Sequence, residues 1–221
     1  MTADPHRDQP VFTAGRKISE AEGAVVLLHG RGASAEDILS LGEEFEQPDI
    51  ALLAPQAAGN SWYPHSFLAP LEQNEPWLTS ALNAVKTLVD QTVDRGILRE
   101  KIFIAGFSQG ACLACEFAAR NASSSFGGLI AFTGGLIGPP GTDFRYPGNL
   151  NRMAVFLGGG DPDPHVPWPR VEETASVFSA MGAEVTLQRY PGMSHSISRP
   201  ELGQARQVLS DALRQNRALR T

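Results

Sequence analysis

The run Lys101-Ile-Phe-Ile-Ala-Gly-Phe-Ser-Gln-Gly-Ala-Cys-Leu-Ala constrains this chain more than any other segment. It places G-x-S-x-G between a short apolar strand pattern, Ile102 to Ala105, and a run of helix formers from Ala111 to Arg120. The pentapeptide alone is a modest signal, and its setting decides. A serine at the tip of a strand-to-helix turn this sharp needs small neighbours on both sides, here Gly106 and Gly110. Such a turn exposes the Ser108 hydroxyl and aims it away from the sheet.

The rest of the chain repeats the same alternation of strand and helix. Val11 to Ile18 reads as an edge strand and Ala24 to Leu28 as a buried strand ending at His29-Gly30. Ser34 with Asp37 three residues on reads as the start of a helix reaching about Glu46, and Ile50 to Ala54 as the next strand. A long helix from about Glu75 to Arg95 precedes the elbow. After it come strands at Gly128 to Phe132, Met153 to Leu157 and Val185 to Tyr190, with helices at Pro169 to Met181 and Pro200 to Leu219. This alternation implies one α/β domain over 11–221 with a mostly parallel sheet covered on both faces, preceded by a flexible leader at 1–10. No insertion is large enough for a cap domain. The long segment from Gln56 to Pro76, rich in Pro, Gly and aromatics, is expected to be functional.

Composition excludes several classes. A formal charge of −6 and a pI near 5.4 argue against nucleic acid as a partner, since phosphate binding draws on clustered Lys and Arg. Cys112 and Cys115 fall three apart on the helix after Ser108 and read as small core residues, not as a redox or zinc pair. The polar first ten residues and the lack of a long apolar run point to a cytoplasmic, soluble protein without stable membrane insertion.

A serine hydroxyl is a poor nucleophile near neutral pH, so Ser108 needs a histidine base and the base needs an acid. On folds with this elbow the partners follow in the order Ser, acid, His. His195 satisfies that order, in the Pro/Gly-rich loop after the last strand. His29 competes because it directly follows a strand but comes too early, and His165 leaves almost no room for an acid before it. The acid belongs to the loop Gly158-Gly-Gly-Asp-Pro-Asp-Pro-His-Val-Pro, where Asp161 and Asp163 both qualify and spacing does not separate them. The remaining need is an oxyanion hole, and the backbone amides of Gln109 and Arg31 occupy the expected positions. Gly30-Arg-Gly-Ala-Ser-Ala also fits a dinucleotide fingerprint, but the next strand ends in Ala54-Pro55-Gln56 without the ribose-binding acid.

Together Leu28-His-Gly-Arg-Gly, Gly106-Phe-Ser-Gln-Gly, Asp163-Pro-His-Val-Pro and Gly192-Met-Ser-His-Ser resemble the phospholipase/carboxylesterase branch of the α/β hydrolases. That group contains acyl-protein thioesterases and small bacterial carboxylesterases. The resemblance covers nearly the full length and implies the α/β-hydrolase fold. It favours Asp163 over Asp161 as the acid, with Ser108 as nucleophile, His195 as base and the amides of Arg31 and Gln109 as oxyanion donors. It also puts the loop with Trp62 and Tyr63 at the substrate pocket, with Leu136 nearby. Where the typical thioesterase has H-G-x-G-D this chain has His29-Gly-Arg-Gly-Ala, closer to the H-G-R-G bacterial esterases. The expectation is therefore a serine carboxylesterase acting on a small ester of short to medium acyl chain, with neither cofactor nor metal. Acyl thioester or lysophospholipid hydrolysis is the nearest rival, and a noncatalytic binding protein of the same fold is the distant one. The aromatic loop is read as part of the site in preference to a homodimer interface.

Overall fold

A computed structural model describes residues 4–124 and 126–218, with the side chains of 216–218 outside the description. Seven strands form one sheet: β1 (Val11–Gly15), β2 (Gly23–Leu28), β3 (Ile50–Pro55), β4 (Ile102–Phe107), β5 (Gly128–Phe132), β6 (Ala154–Asp161) and β7 (Glu184–Pro191). Their spatial order is β1-β3-β2-β4-β5-β6-β7. Only β1 runs antiparallel to its neighbour; all other pairs are parallel. The helices are α1 (Ala35–Glu43), α2 (Trp77–Asp94), α3 (Gln109–Arg120), α4 (Trp168–Ala180) and α5 (Arg199–Ala218). The last residue of the expected closing helix, Leu219, lies outside the described residues.

Strands buried on both faces must be apolar throughout, and the period of two splits their side chains between two cores. Ala24, Val26 and Leu28 of β2 pack with α2, α3 and α4, whereas Val25 and Leu27 face α1 and α5. The chain moves from β2 outward to β3, then crosses back past β2 to β4. Neighbouring connections therefore diverge at the carboxyl ends of β2 and β4, which leaves a crevice of the kind in which α/β sheets bind ligands. Leu28 of β2 stands beside Gly106 of β4 at that point.

Two local expectations differ from the structure. The first strand stops at Gly15, whose φ of 69° turns the chain out of the sheet three residues before Ile18. The leader is not loose from Asp4 onward: Ser80 Oγ donates to Asp4 Oδ1 (2.5 Å) and accepts from His6 N–H (2.9 Å), and the His6 ring packs against Trp62 and Trp77. A buried imidazole with both ring nitrogens bonded ties this polar segment to the domain. At the start of α1, Ser34 and Asp37 form the reciprocal cap read from the sequence.

Candidate active site

Ser108 follows β4 and caps the start of α3 with φ 55° and ψ −118°, a conformation that is costly for a residue with a Cβ. The surroundings hold it there. Its N–H donates to Phe132 O (3.0 Å) and its carbonyl accepts from Cys112 N–H (3.0 Å). A Cβ at Gly106 would lie 2.5 Å from the Gly110 carbonyl carbon, and one at Gly110 would run into the Leu28 carbonyl. The helix is thus pressed onto β2 so closely that only hydrogen fits at either glycine.

Three loops from the carboxyl edge of the sheet meet at this serine. His195 Nε2 lies 2.8 Å from Ser108 Oγ, and His195 Nδ1 lies 2.8 Å from Asp163 Oδ2. The other carboxylate oxygen, Oδ1, accepts from the N–H groups of His165 (2.7 Å) and Val166 (2.9 Å). Burial by itself would raise the Asp163 pKa, but these two amides and the His195 ring outweigh it and hold the carboxyl below its usual range. A carboxylate so placed makes Nδ1 the protonated nitrogen of His195 and leaves Nε2 to accept the serine proton. Phe107 and His165 pack on the imidazole at 5.1 and 4.7 Å between ring centroids, which restricts its rotation. Asp161 instead pairs with Arg189 at the surface, and of the two acids only Asp163 meets the His195 ring among the described residues.

The backbone N–H groups of Arg31 and Gln109 have no acceptor among the described residues, and both residues border the same cavity as Ser108. The Gln109 side chain straps the aromatic loop to the elbow. Its amide donates to Tyr63 O (2.8 Å) and its carbonyl oxygen accepts from Trp62 N–H (3.0 Å). His29 has a structural part here: Nδ1 donates to Gly30 O (2.8 Å) and Nε2 accepts from Ala57 N–H (3.1 Å). Burial lowers its pKa and keeps it neutral, so it braces the loop that carries Arg31.

The cavity over Ser108 measures about 420 Å³. Tyr63 lines it as expected, but Trp62 and Leu136 do not. Both are fully buried; the Trp62 indole N–H donates to His29 O (2.9 Å), and Leu136 belongs to the core against α4. Aromatic character alone told nothing of which way Trp62 points. His65, Phe67, His165 and Val166 line the cavity instead. His65 and Phe67 sat in a loop already marked by its length, and His165 and Val166 follow directly from the acid. Cys112 lies at the cavity floor, where burial pushes its thiol up to about 12, so it is a neutral wall and no rival nucleophile. No cluster of three metal-ligating side chains occurs among the described residues.

Residues 12–213 match the model of the phospholipase/carboxylesterase family. The chain belongs to that family. It is accordingly a serine-type hydrolase with the α/β-hydrolase fold. A phospholipase/carboxylesterase crystal structure from Dyadobacter fermentans DSM 18053 superposes with a TM-score of 0.87 at 44% identity, covering 91% of this chain and 96% of that one. Among relatives of known name, acyl-protein thioesterase 1 of Saccharomyces cerevisiae is 29% identical over 84% of this chain and 91% of its own length. The Gibberella zeae acyl-protein thioesterase 1 is 32% identical over 57% of this chain, a match that spans 54% of that protein. A Bacillus cereus carboxylesterase, 19% identical over 93% of this chain and 95% of its own, shares the fold with a TM-score of 0.74. Among the described residues no helix is long and apolar enough to cross a membrane.

Proposed function

We propose that this phospholipase/carboxylesterase family member is a carboxylesterase for short to medium acyl chains, working through an acyl-serine with Ser108, His195 and Asp163 as its triad. The observation that carries the reading is the unbroken pair of 2.8 Å hydrogen bonds from Asp163 through His195 to Ser108. As Ser108 Oγ bonds to the ester carbonyl carbon, its proton passes to His195 Nε2, and Asp163 stabilises the resulting imidazolium. The carbonyl oxygen takes up negative charge between the N–H groups of Arg31 and Gln109. The alcohol then leaves with the proton from Nε2. Water repeats the sequence on the acyl-serine, so one ester and one water give one acid and one alcohol.

The same machinery would cleave a thioester, and the fungal relatives bear that name. The ester reading of modest chain length rests on the cavity wall, where a long unbranched chain would lay methylenes against Arg31, His65 and Ser66. A fluorophosphonate probe tests the mechanism. A single adduct on Ser108, lost in His195→Ala, is expected; no adduct from folded protein would overturn the triad and favour the binding-protein reading.

A further inference from the structure

The wall of the cavity is uneven in charge. The protein carries 24 acidic against 18 basic residues, yet among the described residues no Asp or Glu lines the space over Ser108, while Arg31, His65 and His165 do. Asp163 stands behind the His165–Val166 turn with its side chain out of solvent. Among the described residues, Arg31 is the cavity's one permanent charge. Its guanidinium is held in place by Ser61 Oγ (3.1 Å) and the carbonyls of Pro64 (2.9 Å) and His65 (2.6 Å). All three acceptors are neutral. They fix the group without cancelling its charge, and they use three of the five guanidinium protons, leaving the Nε–H and one Nη2–H unspent.

A cation fixed in position at a substrate cavity, with spare donors and no counterion, is suited to accept an anion. Strapping a loop would not by itself call for an arginine left without an acid partner, because a carboxylate on the 61–65 loop would hold it as firmly. We infer that the natural ester carries a negative charge, a carboxylate or phosphate on its acyl or alcohol part, which Arg31 pairs with while its own backbone amide faces the reacting carbonyl. This inference rests on the esterase reading of the same site and names its substrate class. It gives the Arg31 side chain a part separate from the oxyanion role of its backbone.

The test compares esters matched in shape and differing in charge. Monoethyl glutarate against ethyl pentanoate places a carboxylate where the neutral ester has its terminal methyl. Butyryl glycerol 3-phosphate against monobutyrin does the same for a phosphate on the alcohol side. A charge-assisted contact should favour the anionic member of at least one pair by roughly ten- to a hundredfold in kcat/KM. Which pair shows it locates the anion on the acyl or the alcohol side. In Arg31→Met the anionic-to-neutral ratio should collapse toward one, whatever the absolute rates, and Arg31→Lys should keep part of it. Raising the salt should shrink the wild-type ratio. Hydrolysis of neutral esters without preference in either pair, or a preference that survives Arg31→Met, would overturn this inference and leave the esterase reading standing. Failure to hydrolyse any of the four, with no fluorophosphonate adduct, would overturn both.

Discussion

Replacing Asp163 with asparagine should disable the enzyme by reversing a proton, with the fold left intact. Asp163 Oδ1 receives two backbone N–H groups, at 2.7 and 2.9 Å, and Oδ2 receives His195 Nδ1–H at 2.8 Å. An asparagine at this position satisfies the two amides only with its oxygen at the Oδ1 position, which turns its NH₂ toward His195. Nδ1 must then accept, the ring proton moves to Nε2, and Nε2 no longer takes the proton from Ser108. The opposite orientation sets NH₂ against two N–H donors. Leaving the buried Val166 N–H and the part-buried His165 N–H unsatisfied costs about 2–4 kcal/mol, which keeps the productive arrangement roughly 30- to 10³-fold rarer. Loss of the carboxylate that stabilises the imidazolium adds to this, and the expected fall in kcat is about 10⁴. Initial rates on a neutral short-chain ester at pH 7.5, beside a thermal melt showing folded protein, measure it. Asp161→Asn, which touches only the surface pair with Arg189, should stay within about twofold. The reasoning fails if folded Asp163→Asn keeps more than about a tenth of wild-type kcat, or if Asp161→Asn loses as much.

Gly110→Ala drives a methyl into the Leu28 carbonyl, a backbone atom that cannot step aside. A loss of about 3 kcal/mol is expected, or a melting temperature lower by roughly 6–12 °C, whereas Gly203→Ala on open helix surface should gain about 1 kcal/mol; comparable melts for the two variants would refute the steric account. Glu201, in the first turn of α5, is buried with one oxygen accepting from Ser198 N–H (3.3 Å) and the other without a partner among the described residues. Burial raises its carboxyl from 4.5 to about 7. Because the folded pKa lies above the unfolded one, stability is full below pH 4.5 and falls by about 3 kcal/mol as pH rises to 7 and beyond. Glu201→Gln should match wild type in urea unfolding near pH 4.5 and exceed it at pH 8. An equal difference at both values would show that the carboxyl does not titrate in this window.

The fold was legible because its signals are local and redundant. Strands such as Val25 to Leu28 must be apolar on both faces of a covered parallel sheet, and Ser34 with Asp37 marks a helix start by its own chemistry. The candidate serine and the histidine the structure sets beside it were legible for a related reason: the elbow demands glycine at two fixed offsets, and of the two histidines that chain order allowed, His165 left almost no room for an acid before it. The substrate wall was not. Trp62 and Tyr63 are adjacent in sequence, yet one is consumed by a hydrogen bond to His29 O and the other borders the cavity.

The sequence by itself determined the strand–helix alternation, the elbow at Ser108 and the reading of His195 as its partner, since periodicity, steric demand and order along the chain are written locally. Spacing left Asp161 and Asp163 open and the motif resemblance favoured Asp163; the tertiary structure alone set Asp163 against the His195 ring, retained His29 and Trp62 as braces, tied Asp4 and His6 to the domain, and left the Arg31 guanidinium without an acid partner among the described residues. Each of these depends on which groups from distant segments the fold brings within hydrogen-bond distance, and that geometry and charge balance follow from packing, which residue spacing does not encode.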